Sequence, residues 1–210
     1  NRYRAWIDKR ESEIATLPAA LQPAAQRHIE LCRECRRRMS EGLDLIAADS
    51  VTREAFKLAN HAILLQQLRS SSRAIREMQF DDEEARMFFT PAESPNPLNP
   101  PKDRGKWRPF QLAFILMCLR SVADGKAPER ETVELIWFPT GGGKTEAYLG
   151  LTAFALFHRR LSDPEDAGTH VLMRYTLRLL TAQQFQRAAG LLCAMEHIRN
   201  TPDETRLGSK

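Results

Sequence analysis

A chain of 210 residues can bury one good hydrophobic core, or one core and a smaller satellite domain. Charged residues make up 28% and the formal net charge is +4, with an isoelectric point near 9.0, which admits an acidic partner such as nucleic acid without requiring one. No apolar run approaches membrane-spanning length and no signal peptide opens the chain, so the expectation is a cytoplasmic protein with no membrane segment.

Residues 1–78 read as an all-helical N-terminal domain. Trp6, Ile7 and Ile14 mark a first helix before Pro18, and a second runs from about Pro23 toward Ser40, with Gly42 near its end or at a kink. Asp49 and Ser50 offer an N-cap for a third, whose Phe56, Ala59, Ala62 and Ile63 share one side. Arg33, Arg36, Arg37 and Arg38 occupy successive positions around the second helix, a pattern expected of a solvated face rather than of a phosphate-binding patch.

Four cysteines, Cys32, Cys35, Cys118 and Cys193, make no disulfide framework in a chain of this size, and reduced thiols are expected. Cys32 and Cys35, with His28 one turn earlier, could supply part of a zinc site. Ala25, Ile29, Cys32, Cys35 and Met39 also form a helical apolar stripe, and packing is the favoured reading.

At Gln79 the composition changes. Asp81, Asp82, Glu83 and Glu84 form an acidic run, and five prolines between Pro91 and Pro101 follow it, so 79–105 is expected to be an exposed, irregular connector.

Order returns at Lys106-Trp107-Arg108-Pro109-Phe110-Gln111. Pro109 suits a first helical turn, and Phe110, Ala113, Phe114, Met117, Cys118 and Val122 repeat as one apolar face. Val133-Glu134-Leu135-Ile136-Trp137-Phe138 is bulky and mostly apolar, which suits a strand buried on both faces of a parallel sheet. Next comes Pro139-Thr140-Gly141-Gly142-Gly143-Lys144-Thr145, opening a helix that runs to about Arg160.

Strand, glycine-rich turn and helix are the setting of a phosphate-binding loop. The glycines permit a tight bend whose main-chain N–H groups can close around a phosphate, and the helix start adds its positive dipole end. Lys144 would reach the β- and γ-phosphate oxygens of ATP, and the Thr145 hydroxyl would be a ligand of Mg²⁺. The general pattern places glycine at position 138, where this chain has Phe138.

A polar turn at Ser162–Gly168 leads to Thr169-His170-Val171-Leu172-Met173-Arg174-Tyr175, read as a second strand, so that 133–175 is a parallel crossover unit. Thr176-Leu177-Arg178-Leu179-Leu180 then opens a helix. A hydroxyl, a guanidinium and free helix N–H groups at such an end suit the phosphates of a nucleic-acid backbone.

Three segments together resemble a superfamily 2 helicase: Arg108 to Gln111, Trp137 to Tyr148, and Met173 to Thr181. More narrowly, with Arg53 to Asn60, they are similar to the DrmA family, the helicase-like ATPases of the bacterial DISARM anti-phage system. The resemblance implies an α/β fold: the first part of a RecA-like P-loop NTPase lobe over 106–210, a parallel sheet with flanking helices.

It implies an ATP- and Mg²⁺-dependent enzyme acting on DNA with a DrmB-like partner subunit. Lys144 and Thr145 would be catalytic. Nucleotide would be held by Arg108, Phe110 and Gln111 on the adenine side and by Thr140, Gly141, Gly142, Gly143, Lys144, Thr145 and Glu146. Gln111, 33 residues ahead of Lys144, offers both a donor and an acceptor to an adenine edge. Arg174, Thr176, Arg178 and Gln183 would touch DNA.

Hydrolysis in such enzymes also needs an Asp-Glu pair at a strand end and an arginine finger from a second lobe. Asp203-Glu204 follows Pro202 and no apolar strand, so it does not qualify, and the chain is expected to be a piece of a longer protein with little turnover of its own. A kinase, a ring-forming ATPase or a non-hydrolysing binding module would share the loop and stays open as an alternative.

Overall fold

The computed structural model describes residues 2–70, 77–90, 96–102, 104–137, 139, 141–174, 178–201 and 207–208. In chain order the elements are α1 (Arg2–Ser12), α2 (Gln22–Ala48), α3 (Ser50–Ser70), β1 (Glu77–Asp81), β2 (Arg86–Thr90), α4 (Pro109–Ala123), α5 (Lys144–Ser162) and α6 (Arg178–Arg199). Short 3-10 turns lie at Ile14–Thr16 and Pro128–Glu131.

The helix starts follow from local chemistry. Pro23 and Pro109 sit in the first turns of α2 and α4, where a missing N–H costs nothing. Asp49 both ends α2 and caps α3, its Oδ2 accepting the Thr52 amide at 2.6 Å.

Small residues then let helices approach. Ala55, Ala59 and Ala62 form an alanine face of α3 that packs beside Leu149, Ala153, Phe154 and Phe157 of α5 and Leu191, Ala194, Met195 and Ile198 of α6. Ile115 and Leu119 of α4 complete the same core, and Phe154 at its centre is fully buried. Burying a side chain of that size contributes roughly 1.5–3 kcal/mol.

Two glycines inside helices mark close approaches between elements. Gly42 lies inside α2, which continues to Ala48, and a Cβ there would fall 2.2 Å from the Leu116 carbonyl oxygen of α4. At Gly150 of α5 a Cβ would meet the Trp107 ring at 2.7 Å, a ring held in place by its Nε1–H donating to Asn60 Oδ1 at 2.6 Å.

The expected α/β architecture is overturned. Among the described residues there is one sheet, the antiparallel pair β1–β2, and no parallel sheet of a RecA-like lobe. Residues 132–137 and 169–174 are not strands. The reason lies in which side of each run is covered. Glu134 and Ile136 turn inward, toward Arg38 and toward Phe114, Cys118 and Ala147, while Val133, Leu135 and Trp137 stand 92%, 79% and 90% exposed. On the later run Met173 packs on the core and Leu172 is 88% exposed. An apolar run becomes a sheet strand only with a neighbour about 4.8 Å away to share its N–H and C=O groups, and these runs lie against helices instead. Phe138, where the general loop pattern has glycine, lies outside the described residues.

The connector is also more regular than its composition suggests. β1 and β2 pair with Asp81 opposite Arg86, and the acidic run makes the turn. Asp81 Oδ1 accepts the Glu83 and Glu84 amides at 3.0 Å each, and Ala85 takes a left-handed φ of 48°.

Not all of the arginine cluster is solvated. Arg36 is exposed, but Arg38 is buried, donating through Nη2 to Glu134 and to the Met117 carbonyl at 3.1 Å. Beside it Arg37 joins Glu34, Glu41 and the buried Glu129. Together these contacts fix the approach to the glycine loop against α2 and α4.

Candidate phosphate-binding site

α5 begins at Lys144 with Gly143 as its N-cap, at φ 84° and ψ 30°, and Gly141 also has a positive φ of 80°. A side chain at either position would be strained. The space around Gly141 is open, since an added Cβ would meet nothing within 4 Å, whereas Gly143 is enclosed, its Cβ position 2.8 Å from Gln111 Nε2 and 3.3 Å from Glu146 Oε2.

The loop is braced from the start of α4. Arg108 Nη1 donates to the Gly142 carbonyl at 2.8 Å and Gln111 Nε2 to the Gly143 carbonyl at 2.7 Å. Gln111 Oε1 accepts the Arg108 amide at 2.7 Å, so this 4%-exposed side chain uses both ends of its amide to join the α4 start to the loop. With two loop carbonyls directed at α4, the bend faces the dipole end of α5. The Pro139 carbonyl accepts the Gly142 amide at 3.1 Å and Lys144 Nζ at 3.2 Å, so the lysine folds back across the loop.

Phe110 opens onto an apolar groove of about 660 Å³, shared with Tyr3, Met39, Leu135 and Trp137. Thr145 is half-buried on the first turn of α5. Glu146 on that turn pairs with Arg187 of α6, and its Oε2 is buried with no hydrogen-bond partner among the described residues. Thr140 lies outside the described residues.

Of the residues expected to contact DNA, Arg174 is exposed and lines a second groove of about 660 Å³ with Arg130, Tyr148 and His170, and Gln183 is exposed on α6. Thr176, the side chain of Arg178 and the Asp203-Glu204 pair lie outside the described residues. No group of three or more His, Cys, Asp or Glu residues among the described residues is placed to hold a metal ion. Cys32 and Cys35 are half-buried free thiols. Among the described residues no helix is long and apolar enough to cross a membrane.

The roles of Arg187, Arg38 and Glu129 are not legible in the sequence, where Arg38 falls in a cluster expected to be solvated. Each acts through a partner more than 40 positions away, Glu146, Glu134 and Arg37 respectively.

Comparison with known proteins adds one relative. The chain is 37% identical over 208 residues to the DISARM protein DrmA of Bacillus paralicheniformis. The chain is thus similar to one part of that protein. The similarity takes in 95% of this chain but only 17% of the DrmA relative, so the chain spans about a sixth of that protein's length. No family model matches the chain. The likeness to DrmA covers the braced loop, the helices that brace it and the helices packed behind them.

Proposed function

We propose that this chain is the nucleotide-binding part of an ATP-dependent, DNA-acting enzyme of a DISARM-type anti-phage system. The observation that carries the reading is the loop itself: two left-handed glycines at a helix start, bonded from behind by Arg108 and Gln111, with a lysine at the lip. Similarity to DrmA supplies the biological setting.

The residues fit ATP·Mg²⁺. The open space at Gly141 leaves room for a phosphate against the main chain, and the α5 dipole favours negative charge there. Lys144 would exchange the Pro139 carbonyl for the β- and γ-phosphate oxygens, a stronger, charge-assisted partner. Thr145 would offer its hydroxyl to Mg²⁺. The apolar groove at Phe110 suits the flat face of a base. Gln111 serves here by holding loop and groove in register. The bound nucleotide supplies a phosphoanhydride whose cleavage drives the enzyme. Arg174, Thr176, Arg178 and Gln183 would grip a DNA backbone, and a DrmB-like subunit would be the partner.

The test is DNA-stimulated ATP hydrolysis by the full-length protein. Lys144→Ala abolishes it on this reading, and turnover at the wild-type rate in that variant would refute the site. Hydrolysis indifferent to DNA would point instead to a kinase or a ring-forming ATPase. Arg178→Ala weakens DNA binding and lowers the slope of affinity against salt by about one charge; an unchanged slope would remove Arg178 from the contacts.

A further inference from the structure

A carboxylate in the first turn of a helix normally complements the helix dipole. Glu146 has a second neighbour to contend with. Its Oε2 lies 3.3 Å from where a Cβ on Gly143 would be, against the bend that would receive phosphates. Two negative groups would then share one small, partly buried space, and their repulsion would oppose nucleotide binding.

The answering charge comes from another helix. Arg187 of α6 pairs with Glu146 through Nη2 and Oε1, with the two side chains 35% and 23% exposed. Arg187 is itself held from behind, because Gln66 Nε2 of α3 donates to the Arg187 carbonyl at 2.9 Å. The line from α3 through Arg187 and Glu146 to Gly143 is therefore continuous.

We infer that Arg187 is a positioning residue of the nucleotide site: it neutralises Glu146 and so makes the affinity of the loop for a triphosphate depend on where α6 lies. The inference rests on the nucleotide reading above. Arg187 touches no phosphate and acts only through Glu146. Because α6 begins at Arg178, movement of that helix on a DNA strand would alter the charge felt at the loop. By linkage, nucleotide in the loop would bias α6 in return.

The experiment titrates the full-length protein with a non-hydrolysable ATP analogue and Mg²⁺, and in parallel with ADP. Arg187→Ala weakens the triphosphate on the order of tenfold at low salt, and ADP less, because fewer negative charges face the bare carboxylate. The loss shrinks as salt rises from about 50 to 500 mM, since the pair is partly exposed. In a Glu146→Gln background the same substitution has no further effect, and Arg187→Lys retains most of the affinity. If the alanine variant does not fold, Arg187→Met keeps the aliphatic stem and carries the same comparison.

Triphosphate binding within twofold of wild type in the Arg187 variant overturns the inference, as does an equal loss in the Glu146→Gln background. The failure of the nucleotide reading looks different: wild-type protein that binds no triphosphate, or binds it regardless of Lys144, overturns both.

Discussion

Gly42→Ala measures how closely α2 and α4 cross. In a helix interior exposed to solvent, replacing glycine by alanine stabilises by about 1 kcal/mol, because the unfolded chain loses freedom and the helix gains propensity. At Gly42 the new methyl would sit 2.2 Å from the Leu116 carbonyl oxygen and 3.0 Å from its carbon. The obstacle is backbone, which cannot rotate away, so the helices must separate by roughly 1 Å at the crossing. Overpacking of this kind costs about 1–3 kcal/mol. Separation also draws Arg38 from the Met117 carbonyl and from Glu134, and breaking a buried ion pair costs about 3–5 kcal/mol when complete.

A partial loss of that pair, set against the propensity gain, leaves a net destabilisation of about 2–3 kcal/mol. In a chain of this size that lowers Tm by roughly 5–10 °C. Urea unfolding followed by circular dichroism reads the change directly. Gly125→Ala, where an added Cβ would meet nothing within 4 Å, is the control and should stay within about 0.5 kcal/mol of wild type. A Gly42→Ala variant as stable as wild type would refute the crossing geometry.

Other outcomes can be checked separately. Gln111→Ala removes bonds to the Arg108 amide and the Gly143 carbonyl and should cost about 1–3 kcal/mol, read as weakened nucleotide binding together with lower stability. Retention of both would show that the loop needs no brace. Asp49→Ala should cost about 1 kcal/mol at neutral pH through loss of the α3 cap. The bonds from Thr52 hold the Asp49 carboxyl below the usual carboxylate range, so its contribution is present above the ordinary value and fades as pH falls through the lowered one. The stability gap between the two proteins should therefore close in acid, and a gap that persists there would deny the ionised cap. Burial pushes the Cys118 thiol up to about 12, whereas Cys193 is exposed. A thiol reagent at neutral pH should modify Cys193 quickly and Cys118 only after unfolding; rapid labelling of Cys118 would contradict its place in the core.

What the sequence discloses about this fold divides along the range of the forces involved. Helix starts are written locally, in Pro23, in Asp49 before Ser50 and in Pro109, and each appears in the structure at that place. The glycine bend is local as well, since left-handed backbone at Gly141 and Gly143 is a property of the residues themselves. Sheet membership is not local. Val133 to Trp137 carries the side chains of a strand, but pairing depends on a distant partner, and here helices take up one side of the run. The hairpin was hidden for the opposite reason: its acidic turn and neighbouring prolines resemble a tether, while Asp81 quietly supplies the bonds that close it. Among site residues, Gln111 was legible as polar and well placed, but its double bond to Arg108 and Gly143 was not. Arg187 gave no signal, because the carboxylate it answers belongs to another helix.

The seating of α3 between α5 and α6 has a practical corollary. A recombinant piece trimmed to begin at Lys106 would keep every loop residue yet leave Leu149, Phe154 and Leu191 facing water where Ala55, Ala59 and Ile63 had covered them. Such a fragment should clump on expression, and the first seventy residues would have to travel with the loop in any version meant for the bench.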